Sequence, residues 1–265
     1  MPRSSTGACS VHVITIVTPV FNGMPWLPEA VRSVAAQRGD VEVEHLILDA
    51  GSTDGSREWL HANDSLGFRA VFEPDRGQTD ALAKGFAMST GHILGWLNAD
   101  DILESGALAT VARTFDREPD AAIVSGRCVL IDGHGAHVGE IEVPPGSSLG
   151  ALLRHPTNLA QPATFFRSDR YRQVGGLDRR YNLAMDVDLW FRLARTGRVI
   201  LLPDETLARF RLHPKAKSVS DLNGAIREDL SIRLKNGAPL LSPAVRVLFI
   251  HGYVLPPLRA VRRRL

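Results

Sequence analysis

The sequence predicts an α/β chain with a doubly wound, mainly parallel central sheet. Three observations lead there. Short β-rich runs alternate with stretches of helical spacing through the first half of the chain. Each run ends abruptly in a polar cluster. Several runs are apolar throughout, as in strands covered by helices on both faces.

The first strand is "VITIVTPVF", Val13 to Phe21, ending at the turn Asn22-Gly23. Leu27, Ala30, Val31, Val34 and Ala35 then recur at helical spacing, with Pro28 early in that helix. "VEVEHLILD" is the second strand, followed by "AGSTDGS", where Asp54 suits an N-cap. "FRAVFE" is the third strand, and Thr79 opens a helix carrying Leu82, Gly85, Phe86 and Ser89 on one face. "HILGWL" is the fourth strand, followed by a helix marked by Leu108, Val111, Ala112 and Phe115. "AAIVSG" is the fifth.

The rhythm changes after about residue 125. "RCVLIDGHGAHVGEIEV" reads as a hairpin, and "QPATFFRSDRYRQVGGLD" as a strand with a short helix opened by Ser168. "DVDLWFRLARTG" is an amphipathic helix stopped by Gly197, with Trp190 and Phe191 packing in the core. A strand "RVILL", a β-like "TLARFRLH" and a helix over 219–236 follow. The expected organisation is a disordered 1–12, one domain over 13–236 with halves 13–125 and 126–236, and a basic, apolar tail over 237–265.

Composition narrows the classes. The chain has 265 residues, 44% hydrophobic and 23% charged, enough for one sizeable core. A formal charge of +2 gives no reason to expect nucleic acid. Cys9 and Cys128 form no zinc pattern and suit a reducing compartment. "MPRSSTGACSVH" lacks the apolar core of a signal peptide, and no run reaches the roughly 18 apolar residues of a membrane span. A cytoplasmic location is expected. The closing "LRAVRRRL" suits the anionic inner face of a membrane, or else a solvated terminus.

In an open parallel sheet, ligands bind at the carboxyl ends of the strands. Four polar clusters stand at such ends: Phe21-Asn22, Asp49 to Asp54, Asp75-Arg76, and Asn98 to Asp101. Adjacent carboxylates at the end of an apolar strand are costly unless a cation meets them.

"ITIVTPVFNG", "LILDAGSTDGS", "EPDRGQTDALAKGFAMSTGHILGWLNADD", "QPATFFRSDRYRQVGGLD", "MDVDLWFRL" and "RLH" together resemble family 2 glycosyltransferases of the GT-A fold, bacterial type, over roughly residues 13–215. The resemblance implies a Rossmann-like donor half and a smaller, mixed acceptor-side region. It implies transfer, with inversion, of a sugar from a nucleotide-diphosphate sugar, UDP-sugar first, to a hydroxyl of a cell-envelope glycan or glycolipid.

Residue roles follow from the same resemblance. Asp49 matches the acid that reads the base, with a turn carboxylate as its plain alternative. Phe21 matches the aromatic that stacks on the base, with a core residue as alternative. Pro19, Asn22, Gly51, Asn98 and Ala99 complete the nucleotide-sugar contacts. Arg76 serves as a diphosphate partner or a surface ion pair. Asp100 matches the metal position of the DXD motif and His213 a histidine near the metal or diphosphate, so Mn²⁺ or Mg²⁺ is the implied cofactor. Asn98 departs from the pattern by replacing its first aspartate. Asp101 either restores the lost charge or caps the following helix. Asp186 matches the catalytic base, with Asp188 as alternative and Met185 in place of the usual glutamate; a methionine packed there would raise the base's pKa. Gln161 and Pro162 line the acceptor side through backbone shape, and Lys84 is a solvated helix residue.

Two other readings compete. A sugar nucleotidyltransferase needs a glycine-rich, basic loop after the first strand, which "TPVFNGMPW" lacks. A non-catalytic nucleotide-sugar binder would account for Asn98 and Met185.

Overall fold

The structure is a computed structural model that describes residues 13–39, 41–156, 159–214, 216 and 221–254. The expectations for 1–12 and for the arginine-rich "LRAVRRRL" lie outside the described residues.

The donor half follows the alternation in the sequence. Strands β1 (Val13–Val20), β2 (Glu42–Asp49), β3 (Arg69–Phe72) and β4 (Ile93–Trp96) are linked by helices α1 (Leu27–Ala35), α2 (Ser56–Ala62) and α3 (Gln78–Met88). These strands run parallel in the order β3-β2-β1-β4. Successive β1 side chains point to opposite faces. Val17 packs with Leu82, Phe86, Trp96 and Trp190 on one face. Ile14 and Ile16 pack with Leu108, Val111 and Phe115 on the other. The continuous apolar run therefore has the cause expected of it. Helix α3 lies so close to β1 that a Cβ on Gly85 would stand 2.5 Å from Val17, and only glycine permits that approach.

The second half adds β5 (Ile102–Leu103), α4 (Ala107–Arg117), β6 (Ala121–Ile131), β7 (His137–Ile141), α5 (Leu149–Arg154), β8 (Thr164–Arg167), α6 (Ser168–Gln173), α7 (Met185–Leu193), β9 (Arg198–Arg211), α8 (Leu222–Lys235) and α9 (Pro243–Phe249). The described strands form one sheet, β3-β2-β1-β4-β8-β6-β9-β5, with β7 on β6. Strand β8 enters antiparallel between β4 and β6, while β9 runs parallel to β6. The sheet is thus parallel in its donor half and mixed beyond β4. Phe165 and Phe166 on β8 fall in opposite core layers, so helices cover both faces there too.

Local expectations are revised at several points. "RVILL" and "TLARFRLH" are one strand, β9, because β6 pairs with it through a register shift at Gly126–Cys128. Gly55, not Asp54, occupies the N-cap of α2, with φ 96°. Gly77 occupies that of α3; Thr79 is buried, and its hydroxyl donates to the Tyr181 carbonyl. Asp101 caps no helix, since α4 begins at Ala107. Part of the expected tail is helix α9, which buries Ala244, Val245 and Leu248 and packs on α8 and α5. No helix among the described residues is long and apolar enough to cross a membrane.

Candidate active site

The carboxyl ends of β1, β2, β3 and β4 open into a cleft of about 840 Å³. Its donor wall carries Pro19, Phe21, Asn22, Ala50, Asp75, Asn98, Ala99 and Asp100, and its far side Met185, Asp186 and His213.

Two loops are tied together beneath the mouth. Asn22 adopts φ 56°, and its N–H donates to Ser52 Oγ at 2.8 Å. Its own Oδ1 accepts from Thr53 N–H at 2.9 Å. Asp54 accepts from Met24 N–H through one oxygen and from Ser56 N–H and Oγ through the other. Partial burial pushes the Asp54 carboxyl upward, yet these donors outweigh it and its pKa falls. Asp54 is therefore a fastener between loops. Phe21 is 68% exposed at this mouth, which removes the core reading of it.

Asp49, at the end of β2, is fully buried. Its Oδ1 accepts from Gly51 and Ser52 N–H groups at 3.0 and 3.1 Å, with Arg57 Nε 3.8 Å away. The φ of 103° at Gly51 makes that turn. Asp49 Oδ2 has no hydrogen-bond partner, an arrangement that native proteins rarely leave unexplained. Asp49 does act as a turn carboxylate, with one oxygen only.

The end of β4 is built around Asn98. Its Oδ1 accepts from Gln78 Nε2 at 2.7 Å, and its Nδ2 donates to Asp101 Oδ2 and Gln161 Oε1, each at 3.1 Å. Gln161 in turn donates to the Trp96 carbonyl at 2.7 Å, so its side chain, and not backbone shape alone, serves the site. Asp101 is buried and also accepts from Arg211 N–H at 2.9 Å. Burial, then the charge of Asp100, pushes the Asp101 carboxyl well above the ordinary range. An amide at position 98 gives that acid a donor; a carboxylate there would face it with a second acceptor.

Asp100 points the other way, into the cleft, and its Oδ2 hydrogen-bonds His213 Nε2 at 2.9 Å. His213 packs against Trp26 with ring centroids 4.0 Å apart, and Trp26 Nε1 donates to the Gly133 carbonyl at 3.0 Å. Arg211 lies beneath, 2% exposed. Its guanidinium donates to the Asp100 and Asp132 carbonyls and to Glu29 Oε2. Sequence reading gave Arg211 no role, although it stands in "RLH", one of the stretches that carry the resemblance.

Asp100 and His213 form a donor set suited to Mn²⁺ or Mg²⁺, a hard oxygen beside an imidazole. No group of three or more such donors occurs among the described residues, so a cation here would take its remaining ligands from outside these side chains. Buried His213 Nδ1 has no partner, whereas a ligating histidine usually donates from its other nitrogen. Asp100 is thus the stronger of the two donors.

Asp186 stands in the first turn of α7 beside Met185. Burial, with smaller contributions from Asp229 and Glu228, pushes its pKa up to about 6 against 3.8 ordinarily. Asp188, the alternative base, is buried and held by Arg192 Nε at 2.8 Å. Arg192 also donates to the Val174 and Gly176 carbonyls, so Asp188 anchors α7 outside the cleft. The approach to α7 is clamped by Glu228 of α8, which accepts from the N–H groups of Asn182, Leu183 and Ala184 at 3.1, 2.6 and 2.5 Å. Nothing in the sequence pattern singled out Glu228. Arg76 is exposed and does not line the cleft. Lys84 pairs with Glu73 and Asp80 on the surface.

The chain has relatives among known proteins. The model of glycosyl transferase family 2 matches residues 15–169. An uncharacterized glycosyltransferase of Mycobacterium tuberculosis (strain H37Rv) is 27% identical over 190 residues, 70% of each chain. A PGL/p-HBAD biosynthesis glycosyltransferase of Mycobacterium bovis BCG is 28% identical over 185 residues, 68% of this chain and 69% of that one. Among solved structures, S. aureus TarS 1-349 in complex with UDP-GlcNAc aligns with a TM-score of 0.66 over 90% of this chain and 70% of that one, at 13% identity. Mannosyltransferase PcManGT from Pyrobaculum calidifontis, in complex with GDP-Man and Mn²⁺, aligns at 0.64 over 93% and 73%, at 18% identity. These neighbours share the GT-A fold expected from the sequence. With more than half of the chain matched by the family model, the protein belongs to glycosyl transferase family 2.

Proposed function

We propose that this glycosyltransferase moves a sugar from a UDP-sugar to a hydroxyl of a cell-envelope glycan or glycolipid, with inversion and with Asp186 as general base. The observation that carries the reading is that Asp100, at the end of β4, and Asp186, on α7, line one cleft from different elements. Donor phosphates and acceptor hydroxyl need such separate posts.

In this reading the base stacks on exposed Phe21 and reaches Asp49. Asp49 has one oxygen already filled and one free. A single free acceptor suits the single ring N–H of uracil or thymine. Guanine presents two adjacent donors and would call on both oxygens. Asp49 is fully buried and does not line the cleft, so a base reaching Oδ2 must displace the packing above it. Asp100, with His213 at hand, would hold a divalent cation. Such a cation, when bound, neutralises charge growing on the leaving diphosphate.

Asp186 takes the proton of the acceptor hydroxyl as its oxygen bonds to the anomeric carbon. The bond from that carbon to the diphosphate oxygen breaks on the opposite face, which inverts the centre. A pKa of about 6 leaves Asp186 ionised near neutral pH yet more basic than an ordinary aspartate, and general-base help of this kind is worth about 10²–10⁴-fold. The PGL/p-HBAD relative supports a glycolipid-type acceptor. The asparagine that favoured a non-catalytic binder has a local explanation in its bond to Asp101.

The test is turnover with UDP-, dTDP- and GDP-sugars and Mn²⁺, comparing wild type with Asp100→Ala and Asp186→Asn. Loss of turnover in both folded variants is expected. An Asp186→Asn protein of unchanged rate would reject the base assignment.

A further inference from the structure

Outside the cleft, one surface feature among the described residues is unexplained, and it is apolar. Leu240 and Leu241, in the loop before α9, are 72% and 86% exposed. Val247, Phe249 and Ile250 are exposed on the outer side of α9 and the turn after it, with exposed Arg246 among them. The same helix buries Ala244, Val245 and Leu248 on its inner side. Helix α9 thus carries apolar residues on its exposed side as well as its buried one, whereas a soluble helix ordinarily turns charge outward. Clustered exposed leucine, isoleucine and phenylalanine mark interaction surfaces.

Charge indicates the partner. From Gly237 to Leu265 the sequence has no Asp or Glu and five arginines, Arg246, Arg259, Arg262, Arg263 and Arg264. An exposed apolar face carrying Arg246, followed in sequence by four more arginines and no acid, matches a layer of acyl chains beneath anionic headgroups. Neither feature alone selects a bilayer; an apolar face suits a protein partner, and a basic run suits any polyanion. Position agrees with the lipid. Helix α9 packs on α8 and α5, and both of these pack on α7, which carries Asp186.

We infer that the Leu240-Leu241 loop and the outer side of α9 form a docking surface for an anionic bilayer, seating the acceptor half of the cleft at the membrane. The chain then lies on the membrane without crossing it. Two leucines at the loop enter the headgroup boundary, and exposed Arg246 adds attraction that weakens with salt.

The test uses the full chain and vesicles of phosphatidylcholine, alone or with about one third phosphatidylglycerol, whose anionic headgroups attract basic residues near the surface. Wild type is expected to co-sediment with the anionic vesicles, to bind neutral ones weakly, and to release at high salt. Leu240→Asp with Leu241→Asp is expected to lower anionic-vesicle binding at least tenfold. Both side chains are largely in solvent, so the fold and the melting shift given by UDP with Mn²⁺ are expected to persist. Wild type that stays in the supernatant overturns the inference, as does a double variant that binds like wild type. A wild-type dimer that the double variant dissolves, with no vesicle binding by either protein, would assign the face to a second copy of the chain instead. The inference goes beyond sugar transfer and fails separately. Wild type that fails to bind vesicles but keeps its UDP response removes only the docking surface, and wild type that binds vesicles but shows no UDP response removes only the transfer reading.

Discussion

Asp186→Asn separates the role of this carboxylate from its effect on stability. Burial first, then Asp229 and Glu228, raise Asp186 from 3.8 to about 6. The unfolded chain releases this proton near pH 4, while the folded chain keeps it until about pH 6. Stability from this group is therefore complete below pH 4, falls as pH rises towards 6, and stays low above it. At 1.36 kcal/mol per tenfold, the gap corresponds to about 3 kcal/mol, and partial exposure to the cleft reduces it to about 2–3 kcal/mol. Asparagine keeps the shape and carries no charge to desolvate. Asp186→Asn should gain that amount at pH 7.5, or about 4–10 °C in melting temperature for a chain of this size, and little at pH 4. Turnover should fall about 10²–10⁴-fold. Wild-type turnover should rise through about pH 6 and then level. Urea unfolding of both proteins from pH 4 to 8, with matched rate profiles, reads all of these. A stability difference that does not change with pH would refute the reasoning.

Other outcomes follow from the same geometry. Asn98→Asp replaces a donor to buried Asp101 with a second acid, and should cost about 1–3 kcal/mol in urea unfolding without raising turnover; a large gain in rate would show that Asn98 is a defect in the site. Phe21→Ala should leave stability within about 0.5 kcal/mol, since the ring is exposed, while weakening UDP binding about tenfold by calorimetry, in line with about 1–3 kcal/mol per stacked base. Glu228→Gln should loosen the approach to α7 and move the acid limb of the rate profile to lower pH, because it removes both a clamp and a nearby negative charge; an unmoved limb would confine Glu228 to packing.

The legible parts of the fold were those dictated by local pattern. Continuous apolar runs gave β1, β2 and β4, and their polar ends located the cleft, because an open parallel sheet leaves only that edge for ligands. Phe21, Asp49, Asp100 and Asp186 stood out through their resemblance to a known set of motifs. What stayed hidden depends on contacts distant in sequence. Glu228 reaches amides 44 to 46 residues away, and Arg211 reaches Asp100 across 111. No periodicity reports such pairs. The Gly55 and Gly77 caps were missed because a positive φ at a helix start favours glycine over the polar residue next to it. Asn98 reads in the sequence only as a departure from the DXD pattern, because its bonds to Gln78, Asp101 and Gln161 follow no local spacing.

The central claim is that the cleft holds a nucleotide diphosphate through Asp100 and a divalent cation. The most direct measurement is the melting shift given by UDP-, dTDP- and GDP-sugars, with and without Mn²⁺, on wild type and Asp100→Ala. At about 100 times Kd, binding adds about 2.7 kcal/mol, or roughly 5–10 °C. The account predicts that shift for uracil or thymine nucleotides with Mn²⁺, and its loss in Asp100→Ala. No shift with any of the three donors, or an equal shift in the variant, would contradict it.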